Sequence, residues 1–169
     1  MDHNTAATDL RPGSAGDEMA DWIESHRVRS VSGGLYDLSG LARPRRTITA
    51  LAWALLHPDD IRAAGGAIPR AVLLVGPVGC GKTSLARGLA ALVSERVAFL
   101  EFNASELSPD HLVAIARHAE AQTAPVVVFI DELSWLGLDR GNRTHDGESR
   151  AALFALLSAI SGLRVILKN

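Results

Sequence analysis

A short apolar run, Ala71-Val72-Leu73-Leu74-Val75, passes without a break into Gly76-Pro77-Val78-Gly79-Cys80-Gly81-Lys82-Thr83, and a helical apolar period starts directly behind it. Few folds accommodate such a junction. A continuous apolar run with no alternation predicts a strand buried on both faces, and such strands belong to parallel sheets covered by helices on either side. Gly76, Gly79 and Gly81 allow backbone angles and close approaches that a Cβ would block, so successive N–H groups can converge on one point. A helix starting near Lys82 adds the positive end of its dipole at the same place. The pattern is G-x-x-x-x-G-K-[ST], in the strand-then-helix context that it requires, and its chemistry is phosphate binding. Lys82 supplies a mobile point charge for β and γ phosphates, and the Thr83 hydroxyl can ligate Mg2+. The candidate binding residues are therefore Gly76, Pro77, Val78, Gly79, Cys80, Gly81, Lys82, Thr83 and Ser84. A chance glycine turn would not account for the lysine: of 17 basic residues, all but Lys82 and Lys168 are arginine.

Strands and helices alternate on both sides of this junction. Ile48, Leu51, Ala52, Leu55 and Leu56 follow the spacing of one helical face, closed by His57-Pro58. After the loop, Leu85, Leu89, Leu92 and Val93 share a helical face, and Val97 to Phe102 reads as a second strand. A helix from about Pro109 to Gln122 leads to Val126-Val127-Val128-Phe129-Ile130, the most strand-like run in the chain. A polar loop over 137–149, a helix from about Ser149 to Ile160 and a strand beginning at Arg164 complete the pattern. Such alternation indicates βαβ units, hence an α/β fold of three layers, helix–sheet–helix, around a mostly parallel sheet. Residues 1–30 are polar and lack a sustained apolar period apart from a short candidate helical patch around Met19 to Ile23, and are expected to form a flexible arm ahead of a core over 31–169.

Asp131-Glu132 follows the strand at 126–130 directly, which puts two carboxylates at a strand's C-terminal end, where parallel sheets present ligands. Alone, two acidic residues ending a strand would be a solvated turn. Beside a phosphate loop, Asp131 can hold Mg2+ and Glu132 can polarise an attacking water. Lys82 and Glu132 are the catalytic candidates, and Thr83 and Asp131 the metal ligands. No N-K-x-D sequence for reading guanine occurs, so ATP is preferred over GTP, and no L-S-G-G-Q signature points to a transporter subunit.

Several ordered motifs together resemble the AAA ATPases, in the branch of FtsH-type proteases, katanin-like severing proteins and segregases. Tyr36-Asp37-Leu38-Ser39-Gly40-Leu41 is similar to the family's D-I-G-G-L entry, and His57-Pro58-Asp59-Asp60-Ile61 to its H-P-E-L-F. Pro69 to Thr83 resembles P-x-G-V-L-L-x-G-P-P-G-T-G-K-T, and Ala124 to Leu133 resembles A-P-x-I-I-F-I-D-E-I-D. The resemblance spans about residues 31–167 and implies that Leu38, Ser39 and Gly40 lie against adenine. It also implies ATP and Mg2+ as ligands, assembly into a homo-oligomeric ring or with a larger AAA partner, and remodelling of a protein substrate. Arg140 and Arg143 stand where family members make contacts between subunits. Two departures matter. Ser105 to Asp110 runs straight into the following helix, so the aromatic-tipped pore loop of threading members is absent. The family's sensor Asn, arginine fingers and helical lid would follow the last strand, so the core is read as incomplete, with one sheet edge unpaired.

The remaining features exclude more than they assign. A formal net charge of -2 gives no electrostatic reason to expect nucleic acid. No apolar run approaches the ~18 to 20 residues of a membrane helix, and the N-terminus has no basic start before an apolar stretch, so a soluble cytoplasmic protein is expected. Cys80 is the single cysteine, and the six histidines show no zinc-ligand spacing. Arg43, Arg45 and Arg46 read as a solvated basic patch. The first functional expectation is an ATPase core. The alternative is a module that holds nucleotide to dock a partner and hydrolyses little, and a P-loop kinase fits the acidic pair less well.

Overall fold

The computed structural model describes residues 15–133, apart from 30, 32, 33, 36 and 37, together with residues 164–168. The expected helix at 149–160, Arg140, Arg143 and the chain terminus lie outside the described residues. In chain order the elements are α1 (Ala15–Ser25), α2 (Ala42–Leu56), α3 (Pro58–Ala63), β1 (Ala71–Leu74), α4 (Lys82–Val93), β2 (Ala98–Asn103), a 3-10 turn (Ala104–Glu106), α5 (Pro109–Ala121), β3 (Val126–Asp131) and β4 (Arg164–Lys168). No helix among them is long and apolar enough to cross a membrane.

All four strands are parallel, in the order β1-β4-β3-β2. β4 therefore lies inside the sheet, pairing Val165 with Ala71 on one side and with Val128 on the other. The order follows from right-handed crossovers, which put α4 on one face and α5 on the other. The two faces bury separate cores. On one, Phe99, Val127, Phe129 and Ile166 pack beneath Leu85, Ala86 and Leu89 of α4 and Ile48, Ala52 and Leu55 of α2. On the other, Leu100, Phe102, Val128 and Ile130 meet Leu112 and Ile115 of α5 and Ile23 of α1. Burying a side chain such as Phe129 or Leu89, each fully inaccessible, contributes about 1.5 to 3 kcal/mol.

Local chemistry sets the element ends. Ser108 accepts the His111 N–H at 3.2 Å while His111 Nδ1 accepts the Ser108 N–H at 3.2 Å, a reciprocal cap with Pro109 in the first turn. This cap starts α5 two residues after the 3-10 turn, leaving no room for an inserted loop. Pro58 opens α3, with Asp59 and Asp60 at the positive end of its dipole.

Two expectations need correction. Residues 15–29 do not form part of a flexible arm: α1 is helical, Ile23 is buried and Trp22 stacks on His111 of α5 with centroids 4.6 Å apart. The following residues run along β2, with Val28 N–H bonded to Phe99 O at 2.9 Å and Glu101 N–H to His26 O at 3.0 Å, so that edge of the sheet is covered. Residues 1–14 lie outside the described set. The second correction concerns β1, which is not buried on both faces. Val72 and Leu74 pack with the α2–α4 core, whereas Leu73 is 56% exposed and Val75 beyond it 73%. The reason is position: β1 is at the edge, and α1 and α5 lie over β2 and β3.

Candidate functional site

Strand β1 delivers the chain to Gly76, and the loop returns into α4 at Lys82. Gly81 caps this helix at φ 85°, in the left-handed region, and a Cβ there would stand 3.0 Å from Leu41 Cδ1. Gly76 is constrained by space, since a Cβ would meet Cys80 Sγ at 2.9 Å. Gly81 requires glycine for its backbone angle, and a side chain at Gly76 would have to displace the Cys80 thiol. Lys82 is 8% exposed, and its Nζ donates to Gly76 O at 2.6 Å and Pro77 O at 2.7 Å, with Cys80 Sγ at 3.9 Å. The ammonium is thus held over the loop's own carbonyls. Pro77, Val78, Gly79 and Ser84 are exposed around it, and Thr83 is half-buried.

The carboxylates come from the next strand but one. Thr83 Oγ1 donates to Asp131 Oδ2 at 3.2 Å, which joins the loop to the end of β3 across the sheet. Hydroxyl and carboxylate oxygens converging in this way are the donor set that Mg2+ accepts. Asp131 Oδ1 accepts the Glu132 N–H at 2.7 Å. Glu132 is exposed and has φ 57°, the single positive φ of a non-glycine residue among those described. A left-handed conformation at such a residue costs about 1 to 2 kcal/mol, and strain of this kind gathers at functional sites. Behind the site, Arg87 of α4 grips Glu101 of β2 with two hydrogen bonds of 3.1 and 2.7 Å. That carboxylate, aided more weakly by Asp131, holds the guanidinium above its ordinary range.

One residue at this site escapes sequence reasoning. Asn103 ends β2 opposite Asp131, and its Nδ2 donates to Glu132 Oε2 at 3.1 Å. Its Oδ1 accepts from Ser105 N and Ser105 Oγ at 2.9 and 2.7 Å, and its own N–H donates to Glu106 Oε1 at 2.6 Å. The signal that could have found it is the shared ending of two neighbouring strands in polar residues.

The entry segment lies beside the loop through Leu41, against Gly81. Leu38 turns into the α2–α4 core, and Ser39 and Gly40 form an exposed turn, with Gly40 at φ 74°. An open cleft of about 450 Å³ between Leu56, His57 and residues 91–96 is at the opposite end of α4 and takes no part. Among the described residues no group of three or more His, Cys, Asp or Glu side chains could hold a metal ion. Thr83 and Asp131 could therefore bind one only together with oxygens of a ligand.

Comparison with known proteins bears on the family and the fold. A profile described as ATPase family associated with various cellular activities (AAA) matches residues 72–167. The ATP-dependent zinc metalloprotease FtsH 1 of Sorangium cellulosum is 36% identical over 136 residues, which cover 75% of this chain and 22% of that protein. The ATPase family protein 2 homolog of Caenorhabditis elegans is 34% identical over 128 residues, 70% of this chain and 17% of its own length. The chain thus spans about a fifth of the length of such relatives. The crystal structure of the FIGL-1 AAA domain in complex with ADP matches the fold with a TM-score of 0.71 at 24% identity, over 95% of this chain and 56% of that one.

Proposed function

The chain belongs to the AAA family of ATPases, and from that premise we propose that it binds ATP with Mg2+ and hydrolyses the bond between the β and γ phosphates. The observation that carries this reading is the Thr83–Asp131 contact at 3.2 Å, which brings the phosphate loop and the acidic strand end to one point. In the proposed reaction the loop N–H groups and Lys82 bind the phosphates, with Lys82 exchanging its bonds to Gly76 O and Pro77 O for phosphate oxygens. Thr83 and Asp131 would hold Mg2+, which supplies charge neutralisation on the phosphates when bound. Glu132 orients the attacking water and receives its proton. Leu38, Ser39 and Gly40 are proposed to line the adenine side, beside Leu41.

Assembly into a ring, or onto a larger AAA partner, and work on a protein substrate are part of the same proposal. A second reading, a module that holds nucleotide and hydrolyses little, is favoured by one observation: the Asn103 amide occupies the Glu132 carboxylate. ATP binding and steady-state phosphate release on the full chain, with Lys82→Ala and Glu132→Gln alongside, decide between them. Binding lost in Lys82→Ala, with release abolished in Glu132→Gln, establishes the ATPase. Binding without release establishes the holding module, and no binding overturns both.

A further inference from the structure

Two glycines of the α4 region each receive a leucine from the entry segment. Gly88 is buried within the helix, and a Cβ there would stand 2.9 Å from Leu35 Cδ1 and 3.2 Å from both Leu35 Cα and Leu35 Cβ. Gly81, seven positions earlier, offers its bare face to Leu41 Cδ1. Seven residues are close to two helical turns, so the two notches lie on one side of α4, about 10 Å apart along its axis. Leu35 and Leu41 fill them, which ties the stretch they bracket, at both ends, to the helix that the phosphate loop runs into.

Gly88 is not there for the helix. Glycine is a poorer helix former than every residue but proline, and Ala86, Ala90 and Ala91 show α4 using alanine where it needs a small side chain. The close approach accounts for it: Leu35 brings backbone as well as side chain against Gly88, and is itself only 1% exposed. At the other end Leu41 is the N-cap residue of α2, a position that favours an oxygen-bearing side chain, and it makes no side-chain cap hydrogen bond. Its seat on Gly81 fixes the start of α2 in place of capping chemistry. Between the two seats, Leu38 packs with the α2–α4 core and Ser39-Gly40 make the exposed turn.

We propose that Gly88 and Leu35 are positioning residues for the nucleotide base: the notch in α4 holds Leu38, Ser39 and Gly40 ready beside the phosphate loop before ligand arrives. The inference rests on the reading of those three residues as the adenine side. A segment already seated loses little freedom when it closes on a base, whereas a released one must be ordered at the expense of affinity. The phosphate end is built separately, from the loop and Lys82, whose Nζ is held by Gly76 O and Pro77 O. The notch therefore supports binding of the base and leaves binding of the phosphates alone.

The test compares Mg-ATP with inorganic tripolyphosphate, which carries the phosphates and neither base nor ribose, by calorimetric titration of the full chain. Gly88→Ala fills the notch, and Leu35→Val is a milder change that shortens the side chain seated in it. Both variants should bind ATP roughly 3- to 10-fold more weakly and tripolyphosphate as the unmodified chain does. Amide hydrogen exchange without ligand supplies a second reading: Leu38 to Leu41 should exchange faster in the variants while Leu85 and Leu89 of α4 stay protected. Equal weakening of both ligands overturns the proposal, because the loop itself would then be damaged. Unchanged ATP affinity, or unchanged exchange at Leu38 to Leu41, overturns it as well. Failure of the unmodified chain to bind ATP overturns the nucleotide reading instead, and the exchange comparison then decides the anchoring alone.

Discussion

Gly81 combines three demands in one position: a left-handed backbone at φ 85°, the start of α4, and contact with Leu41. Ala at this position meets both the conformational penalty and the side chain of Leu41. Gly81→Ala should lower stability by about 1 to 2 kcal/mol and weaken ATP binding at least roughly tenfold, since the loop N–H groups would no longer converge. Chemical denaturation and nucleotide titration of the same preparation measure the two effects. Lys82, Thr83, Asp131 and Glu132 were legible in the sequence because each belongs to a short motif whose chemistry is local. Asn103 was not, because its role arises from strand register, which pairs it with Asp131 across the sheet and appears in no run of neighbouring residues. The left-handed Glu132 was equally hidden, as an acidic residue after a strand carries no signal of positive φ.

Among the elements, α1 shows why the N-terminal reading failed. Its apolar side is only Met19, Trp22 and Ile23, enough to mark a short helical patch in the sequence but not to show that the patch docks, and it is stable because α5 and β2 bury it. The docking has a charged component. Arg27, through its hydrogen bonds, and more weakly His118 hold Glu24 down to about 2, from an ordinary value of 4.5, against the opposing effect of burial. A depressed carboxylate stabilises the fold above its unfolded value and loses that contribution as pH falls toward its folded value. The Glu24 contribution is therefore complete above pH 4.5 and disappears as pH approaches 2. Glu24→Gln should remove this part of the acid limb and cost no more than about 1 kcal/mol at neutral pH, because the pair is a third exposed to solvent. Acid titration followed by circular dichroism in both chains tests this. The cap of α5 gives a second prediction: Ser108→Ala should lower stability by about 1 kcal/mol in thermal denaturation. α2, α4 and α5 were readable in the sequence, whereas α3, six residues with none buried, was not, and strand ends moved by one residue where Asn103 and Asp131 extend the ladders.

Across the whole molecule, sheet order decides which apolar residues matter. Phe129 lies in an inner strand with no exposed surface, whereas Leu73 in the edge strand is 56% exposed. Phe129→Ala should therefore cost about 3 to 5 kcal/mol, and Leu73→Ser less than about 1 kcal/mol, a contrast that urea denaturation resolves. The sequence shows both residues in equally apolar runs. Alternation of strands and helices made the parallel α/β class legible, but the exposure of β1 depends on which strand neighbours it, a long-range property. The placement of β4 between β1 and β3 also governs the order of events as the chain folds. Ala71 must wait for Val165, and Val128 for the same residue, so β2, β3 and α5 can associate early while β1 remains without a neighbour. Closing so long a stretch of chain is slow compared with local helix formation. During synthesis the phosphate loop would emerge well before the sheet that supports it, and a ribosome-bound chain stalled short of residue 164 should have a folded β2–β3 pair and no capacity to hold nucleotide.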